Sequence, residues 1–265
     1  MSSLVSLRSE GRVTPSCATR HWPGANAISE NGSLGSWEAW GGAPVSKKTL
    51  LSWSGGKDGA LSLYEIQKAS DYSVAALLTT ITEDHDRISM HGVRRVLLER
   101  QAEALGLPLQ KIYIPKDATN GVYESRLRAV LEEGLRAGIG TVAFGDIFLE
   151  DLRQYRGKNL AQLGMQGLFP IWKQDSHELA SSFLELGFKA VVVCVDTSVL
   201  DASFAGRVFD EAFLRDLPGN VDPCGENGEF HSFVVDGPNF KQQIGHVRGE
   251  VVRRDRFCFC DLLPA

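Results

Sequence analysis

An apolar run, Leu50-Leu51-Ser52-Trp53, leads straight into Ser54-Gly55-Gly56-Lys57-Asp58-Gly59, and beyond it the pattern becomes helical. This junction constrains the fold more than any other stretch. A strand, a glycine turn and a helix in direct succession open a right-handed crossover to a parallel neighbour. Two adjacent glycines let the backbone take positive φ and approach a ligand closely, and the free N–H groups at the helix start favour an anion. The spacing is not that of a Walker A loop, G-x-x-x-x-G-K-[ST]. The turn reads as a phosphate cradle made of Ser54, Gly55, Gly56, Lys57, Asp58 and Gly59, in which Lys57 adds a cation and Asp58 holds Mg²⁺ through water.

The pattern beyond the turn alternates. Strands are expected at Thr49 to Trp53, Val74 to Ile81, Leu109 to Ile114 and Thr141 to Ile147. Helices are expected at Asp58 to Lys68, at about His91 to Leu105 with Val93, Val96, Leu97, Ala104 and Leu105 inward, and at Asp117 to Arg136. Strands separated by helices imply a parallel sheet covered on both faces, with ligands beyond the carboxyl ends of the strands. Past Phe148 come a helix from Leu149 to Leu163, a short helix from Ser176 to Leu186 capped by Ser176, and a strand from Ala190 to Val195. Gly138-Ile139-Gly140-Thr141-Val142-Ala143 matches a dinucleotide pattern but follows a helix and precedes a strand, the reverse of the context that chemistry requires. The expected architecture is α/β, a parallel sheet domain over 47–148 and a smaller α/β lobe over 149–265. Residues 1–46 show neither helical nor strand periodicity and read as a disordered leader or extension.

With 265 residues and 43% hydrophobic side chains, a sizeable core is affordable. No apolar run reaches the roughly 18 to 20 residues of a membrane span, and the first thirty residues lack the apolar region of a signal peptide. The net charge of −5 argues against a nucleic-acid partner. Five cysteines (Cys17, Cys194, Cys224, Cys258, Cys260) are too few and odd in number for a disulfide framework, so a cytoplasmic setting with reduced thiols is expected. Cys258 and Cys260 alternate with Phe257 and Phe259 and should share one face of a strand. The oligomeric state is left open, a homodimer included.

Two further clusters carry chemistry. Gly145-Asp146 ends a strand and is followed by Glu150, Arg153 and Arg156; Asp146 could be a simple helix cap or lie near Mg²⁺ or a ribose, and the arginines either a solvated face or a clamp for phosphate or carboxylate. Asp222-Pro223-Cys224-Gly225-Glu226-Asn227-Gly228-Glu229-Phe230-His231-Ser232-Phe233 sets carboxylates, a thiol and an imidazole on one glycine-punctuated loop. Such a density of titratable groups marks a site more often than a solvated turn. Cys224 is either a packing thiol or a nucleophile beside His231.

The glycine turn resembles the SGGxDS pyrophosphatase loop (PP-loop) of adenine nucleotide alpha hydrolases, which split ATP between its α and β phosphates. The three clusters together resemble the diphthine-ammonia ligase family over about Lys47 to Leu263, with the CGENGEFH stretch the most specific. This resemblance implies a PP-loop domain of the HUP, Rossmann-like type, with ATP and Mg²⁺ held against a family-specific domain. It implies activation of a carboxylate as an acyl-adenylate and displacement of AMP by ammonia or another amine. Lys57, Asp58, Glu226, Glu229 and His231 are then the catalytic candidates. Ser54 to Gly59 with Gly145 and Asp146 bind the nucleotide, and Glu150, Arg153, Arg156, Cys224, Gly225 and Asn227 bind the acceptor. Two departures stand out: Gly59 replaces the usual serine of the loop, and GENGEFH replaces the EGGE-(F/Y)-E-T form, with Asn227 and His231 resembling the bacterial branch. Two other readings remain open, an RNA-modifying PP-loop enzyme and a nucleotide-binding protein without ligase chemistry.

Overall fold

The structure is a computed structural model that describes residues 46–88, 91–116 and 118–265. The expectations for the leader and for Cys17 fall outside these residues, Ser46 excepted. The chain runs β1 (Lys47–Ser52), α1 (Lys57–Ala69), β2 (Tyr72–Thr82), β3 (Arg87–Ile88), α2 (Arg95–Leu105), β4 (Leu109–Ile114), α3 (Asn120–Arg136), β5 (Thr141–Ala143), α4 (Glu150–Ala161) and β6 (Gln166–Leu168). It continues with α5 (Ser176–Glu185), β7 (Lys189–Asp196), α6 (Glu211–Asp216), β8 (Phe230–Asp236), β9 (His246–Arg254) and β10 (Phe257–Pro264).

The first sheet has β1 at its centre, parallel to β2 on one side and to β5 on the other; β4 follows β2 and β6 follows β5, also in parallel. The chain moves outward from β1 through β2 to β4 and then crosses back to β5. The β1/β5 boundary is therefore the switch point where such sheets open a ligand crevice. Its two carboxyl ends carry the glycine turn and Gly145-Asp146. β3 adds antiparallel to the last residues of β2, Ile81 and Thr82, whose other edge is taken by β4. It therefore lies on the β1 side, past the end of β1, and brings the segment after it toward the glycine turn.

The second sheet is antiparallel throughout, in the order β8-β7-β10-β9. Alternation along β1 shows how the two layers meet. Leu51 and Trp53 join a core that runs through α1, α2 and α5 into β7, β8 and β10, whereas Leu50 joins a smaller core with Leu131 of α3 and Leu160 of α4 on the opposite face. The apolar side of α1 and α2 is thus covered by the second sheet.

Several boundaries differ from expectation. α2 begins at Arg95 because Arg94 is extended, which leaves His91 and Val93 in the preceding loop; Val96 is exposed, and Leu98 and Gln101 take the inward places. β5 stops at Ala143, since Gly145 must let the start of α1 pass. The cap of α5 is Asp175, whose carboxylate accepts from the amides of His177 and Glu178. Cys258 and Cys260 are both buried on one face of β10, as alternation requires. No helix among the described residues is long and apolar enough to cross a membrane.

Candidate active site

Gly55 sits at φ +81°, and a Cβ there would come within 2.8 Å of Leu98 and 2.7 Å of Gln101, so the turn requires glycine on both counts. Gly56 caps α1 with extended backbone and no side-chain bond. The amides of Gly55 and Gly56 are buried and have no acceptor among the described residues, the condition in which an anion is held. Gly145 is required by the same crowding. A Cβ on it would lie 2.9 Å from the Asp58 carbonyl carbon and 3.0 Å from the Gly59 nitrogen, so the end of β5 touches the first turn of α1 backbone to backbone.

The turn is held mostly by residues distant in the chain. Gln101, 0% exposed, donates to the Gly55 carbonyl at 3.1 Å and to the Val234 carbonyl at 2.5 Å, and accepts from the indole of Trp53 at 3.0 Å. The Val234 amide donates to the Gly55 carbonyl at 2.8 Å. The Lys57 amide donates to the Ser232 hydroxyl at 3.2 Å. Lys57 is only 2% exposed; its ammonium spans both oxygens of Asp58 at 2.9 Å, donates to the Cys224 carbonyl and faces the Phe230 ring. Burial works against that charge, but Asp58, with Glu226 behind it, outweighs it, and the pKa sits above the ordinary lysine value.

The second loop organises itself. The Asp222 carboxylate accepts from the amides of Cys224 and Glu226, and Glu229 accepts from the amide of Asp222 and the side chain of Asn227. Glu229 is 6% exposed, and its other oxygen has no hydrogen-bond partner. Gly225, at φ +68°, brings its Cα so close to Phe230 that a Cβ would stand 2.7 Å from the Phe230 carbonyl oxygen. Glu226 reaches out of the loop and accepts from the Ile147 amide at 2.8 Å, directly behind Gly145-Asp146. Burial, with Asp58 and Asp146 nearby, pushes its carboxyl up to about 7 despite that bond.

Asp146, 8% exposed, pairs with Arg156 at 3.0 Å in a contact not aligned as a hydrogen bond, and burial raises its carboxyl although Arg156 opposes the shift. Arg156 also lies over the Phe144 ring, and Arg153 over Trp172 and Phe169. Glu150 is exposed in the first turn of α4. The Cys224 thiol points at the Ser176 carbonyl, and burial pushes it up to about 12, so it stays protonated. His231 stacks on His91 with ring centroids 4.3 Å apart. Burial, with Lys57 nearby, lowers His231 to about 4 and His91 well below its ordinary value, so both rings are neutral at pH 7.

The sequence-predicted residues therefore converge in large part. Lys57, Asp58, Cys224 and Glu226 with Ile147 form one contiguous group, joined to His231 through Ser232, whereas Glu150 and Arg153 lie apart on α4. The residues that sequence reading missed are Gln101 and Val234; it places Ser232 in the second cluster without a role, and weighs His91 as a catalytic residue only to set it aside. Gln101 had a signal, a lone amide in the inward stripe of α2. Ser232 and Val234 act through a short hydroxyl and a backbone amide, which no pattern marks.

The two halves of the chain match consecutive family models, the diphthamide synthase N-terminal domain over residues 47–167 and the diphthamide synthase C-terminal domain over residues 175–262. The chain is 29% identical over 217 residues to a protein of Danio rerio named diphthine–ammonia ligase, covering 72% of this chain and 83% of that one. A protein of the same name in Bos taurus is 26% identical over 232 residues, 78% of this chain and 85% of its own length. The relative of that name in Schizosaccharomyces pombe is 26% identical over 238 residues, which are 81% of this chain but 38% of the longer yeast protein. With both family domains present in order and the glycine turn and the GENGEFH loop in contact between them, the chain belongs to the diphthamide synthase family.

Proposed function

We propose that the protein is an ATP-dependent, AMP-forming ligase that amidates a carboxylate, working in the cytoplasm, where its buried thiols stay reduced. The observation that carries this reading is the meeting of three sequence clusters at the switch point, through the Lys57–Asp58 pair, the Cys224 carbonyl and the Glu226 bond to Ile147. Relatives named diphthine–ammonia ligase support the same reaction class.

The amides of Gly55 and Gly56, at the start of α1 and without an acceptor among the described residues, suit the phosphates of ATP. The acceptor carboxylate oxygen attacks the α-phosphorus and pyrophosphate leaves; the amine nitrogen then attacks the acyl carbon of the acyl-adenylate, forming the amide and displacing AMP. The amine must shed a proton. Glu226, with a pKa of about 7, suits that task at neutral pH, and neutral His231 is the alternative acceptor. Gly145 and Asp146 belong to the nucleotide side, Asn227, Gly225 and Glu229 to the shape of the second loop, and Glu150, Arg153, Arg156 and Cys224 to the acceptor side. Mg²⁺ would be held by Asp58 and Asp146, provided Lys57 releases Asp58 and Arg156 gives up the Asp146 oxygen it faces at 3.0 Å. Bound there, the cation would offset charge on the departing pyrophosphate.

Incubating the purified protein with ATP, Mg²⁺, ammonium and a panel of carboxylic acids should release AMP and pyrophosphate. ADP and orthophosphate as the sole products would overturn the proposal. A second reading, a nucleotide-binding protein without turnover, draws on the engagement of Lys57 by Asp58 and Cys224. Tight ATP binding without AMP formation across the whole panel would favour it.

A further inference from the structure

A cavity of about 620 Å³ opens between the β2–α2 connection and the outer face of β9 and β10, a volume suited to a small organic molecule. One part of its wall is apolar, with Ile88, Val252, Phe259 and Leu263. Val252 is 42% exposed and Leu263 37%, apolar surface that a bound molecule would cover. The polar part is mainly cationic. Arg94 grips Asp261 with two nitrogens, at 3.1 and 2.7 Å, and Arg87 adds a third contact at 2.9 Å. The side chain of Arg254, on the rim, has neither an ion pair nor a hydrogen bond among the described residues, and neither has that of Glu250. Three guanidinium groups face two carboxylates, Asp261 and Glu250, which leaves one positive charge unmatched in a chain of net charge −5. A single unmatched cation beside apolar surface suits one carboxylate on an apolar body, whose one charge it matches.

The position of this cavity suggests its use. Gly92 stands in its wall against Phe259, where a Cβ would come within 3.0 Å of the ring. The preceding residue, His91, stacks on His231, and the next residue along β8, Ser232, bonds the Lys57 amide. Gly92, His91, His231 and Ser232 thus link the cavity wall to the glycine turn. We propose that the cavity anchors the remote end of the acceptor, an apolar group bearing a carboxylate distinct from the one that reacts, with Arg254 as its ion partner. This assignment rests on the ligase reading above.

The test uses the full chain saturated with ATP and, as probe, 3-phenylpropionate against its uncharged twin 3-phenylpropionamide, followed by calorimetry and amide NMR. The carboxylate should bind at least tenfold more tightly than the amide and shift the resonances of Gly92 and Phe259. Arg254→Glu should abolish this binding, Arg254→Lys should retain part of it, and neither should change ATP affinity. Equal binding of the two probes, no binding, or displacement of ATP by the carboxylate would overturn the inference while leaving the ligase reading intact. Probe binding in a protein that binds no ATP at 54–59 would instead sink the ligase reading, and with it the acceptor assignment.

Discussion

Two glycine loops meet at the site, and they are built in opposite ways. The turn at 54–59 is held from outside, by Gln101 of α2 and by Ser232, Val234 and the Cys224 carbonyl from the second half of the chain. The loop at 222–229 is shaped mostly from within, by Asp222, Glu229 and Asn227 bonding their own neighbours, and only then tied outward through Cys224 and Glu226. The first loop is therefore a property of the whole fold and the second a property of its own sequence.

The largest test of this contrast is Lys57→Ala. It leaves the half-buried Asp58 without its cation and the Cys224 carbonyl without its donor, and should cost about 3–5 kcal/mol in urea unfolding. It should also remove stabilisation by ATP in a thermal melt. Asp222→Ala, which breaks only local bonds, should cost about 1–2 kcal/mol; an equal cost for both variants would break the comparison.

Gln101→Leu comes next. It strands the Trp53 indole and leaves the Gly55 and Val234 carbonyls one bond poorer, for about 2–4 kcal/mol. The ATP response should weaken with it, although residue 101 lies outside the turn.

The pH dependence separates the second loop from the strand that follows it, β8. The Glu226 carboxyl rises from 4.5 to about 7 on folding, so it favours the folded state fully below pH 4.5 and loses that contribution as pH rises through 7. His231 falls from 6.5 to about 4, so its contribution is complete above pH 6.5 and lost as pH falls through 4. Each is worth at most about 3 kcal/mol before solvent screening. Their slopes oppose between pH 4.5 and 6.5 and largely cancel in the native chain. Glu226→Gln should leave a protein that weakens toward acid, and His231→Gln one that weakens toward alkali; parallel profiles for the two variants would refute these assignments.

Gly59→Ser is the smallest change. Its Cβ would stand 3.3 Å from the Trp53 ring, a contact that a slight tilt relieves. A hydroxyl reaching a phosphate oxygen should tighten ATP by about 1 kcal/mol or less in calorimetry.

Much of this was legible in the chain. The run Leu50 to Trp53 with its glycines located the switch point, and alternation of strands and helices gave the parallel sheet, because both depend on local periodicity. The second sheet was less visible. β8, β9 and β10 pair over long separations, and their register depends on contacts that no window of residues contains. His91 looked like part of a helix because Val93 and Leu97 keep a helical spacing, yet extended backbone at Arg94 sets it in a loop against His231. At the site, glycines and carboxylates announced themselves by composition, whereas Gln101 and Ser232 matter only through where the completed fold puts them.

The bond from Glu226 to the Ile147 amide has a consequence for how this family can vary. Every residue except proline offers that same main-chain donor. Mutational drift at position 147 can therefore proceed, within the volume its buried side chain allows, without loosening this latch, whereas shortening the acid at 226 by one methylene would open it.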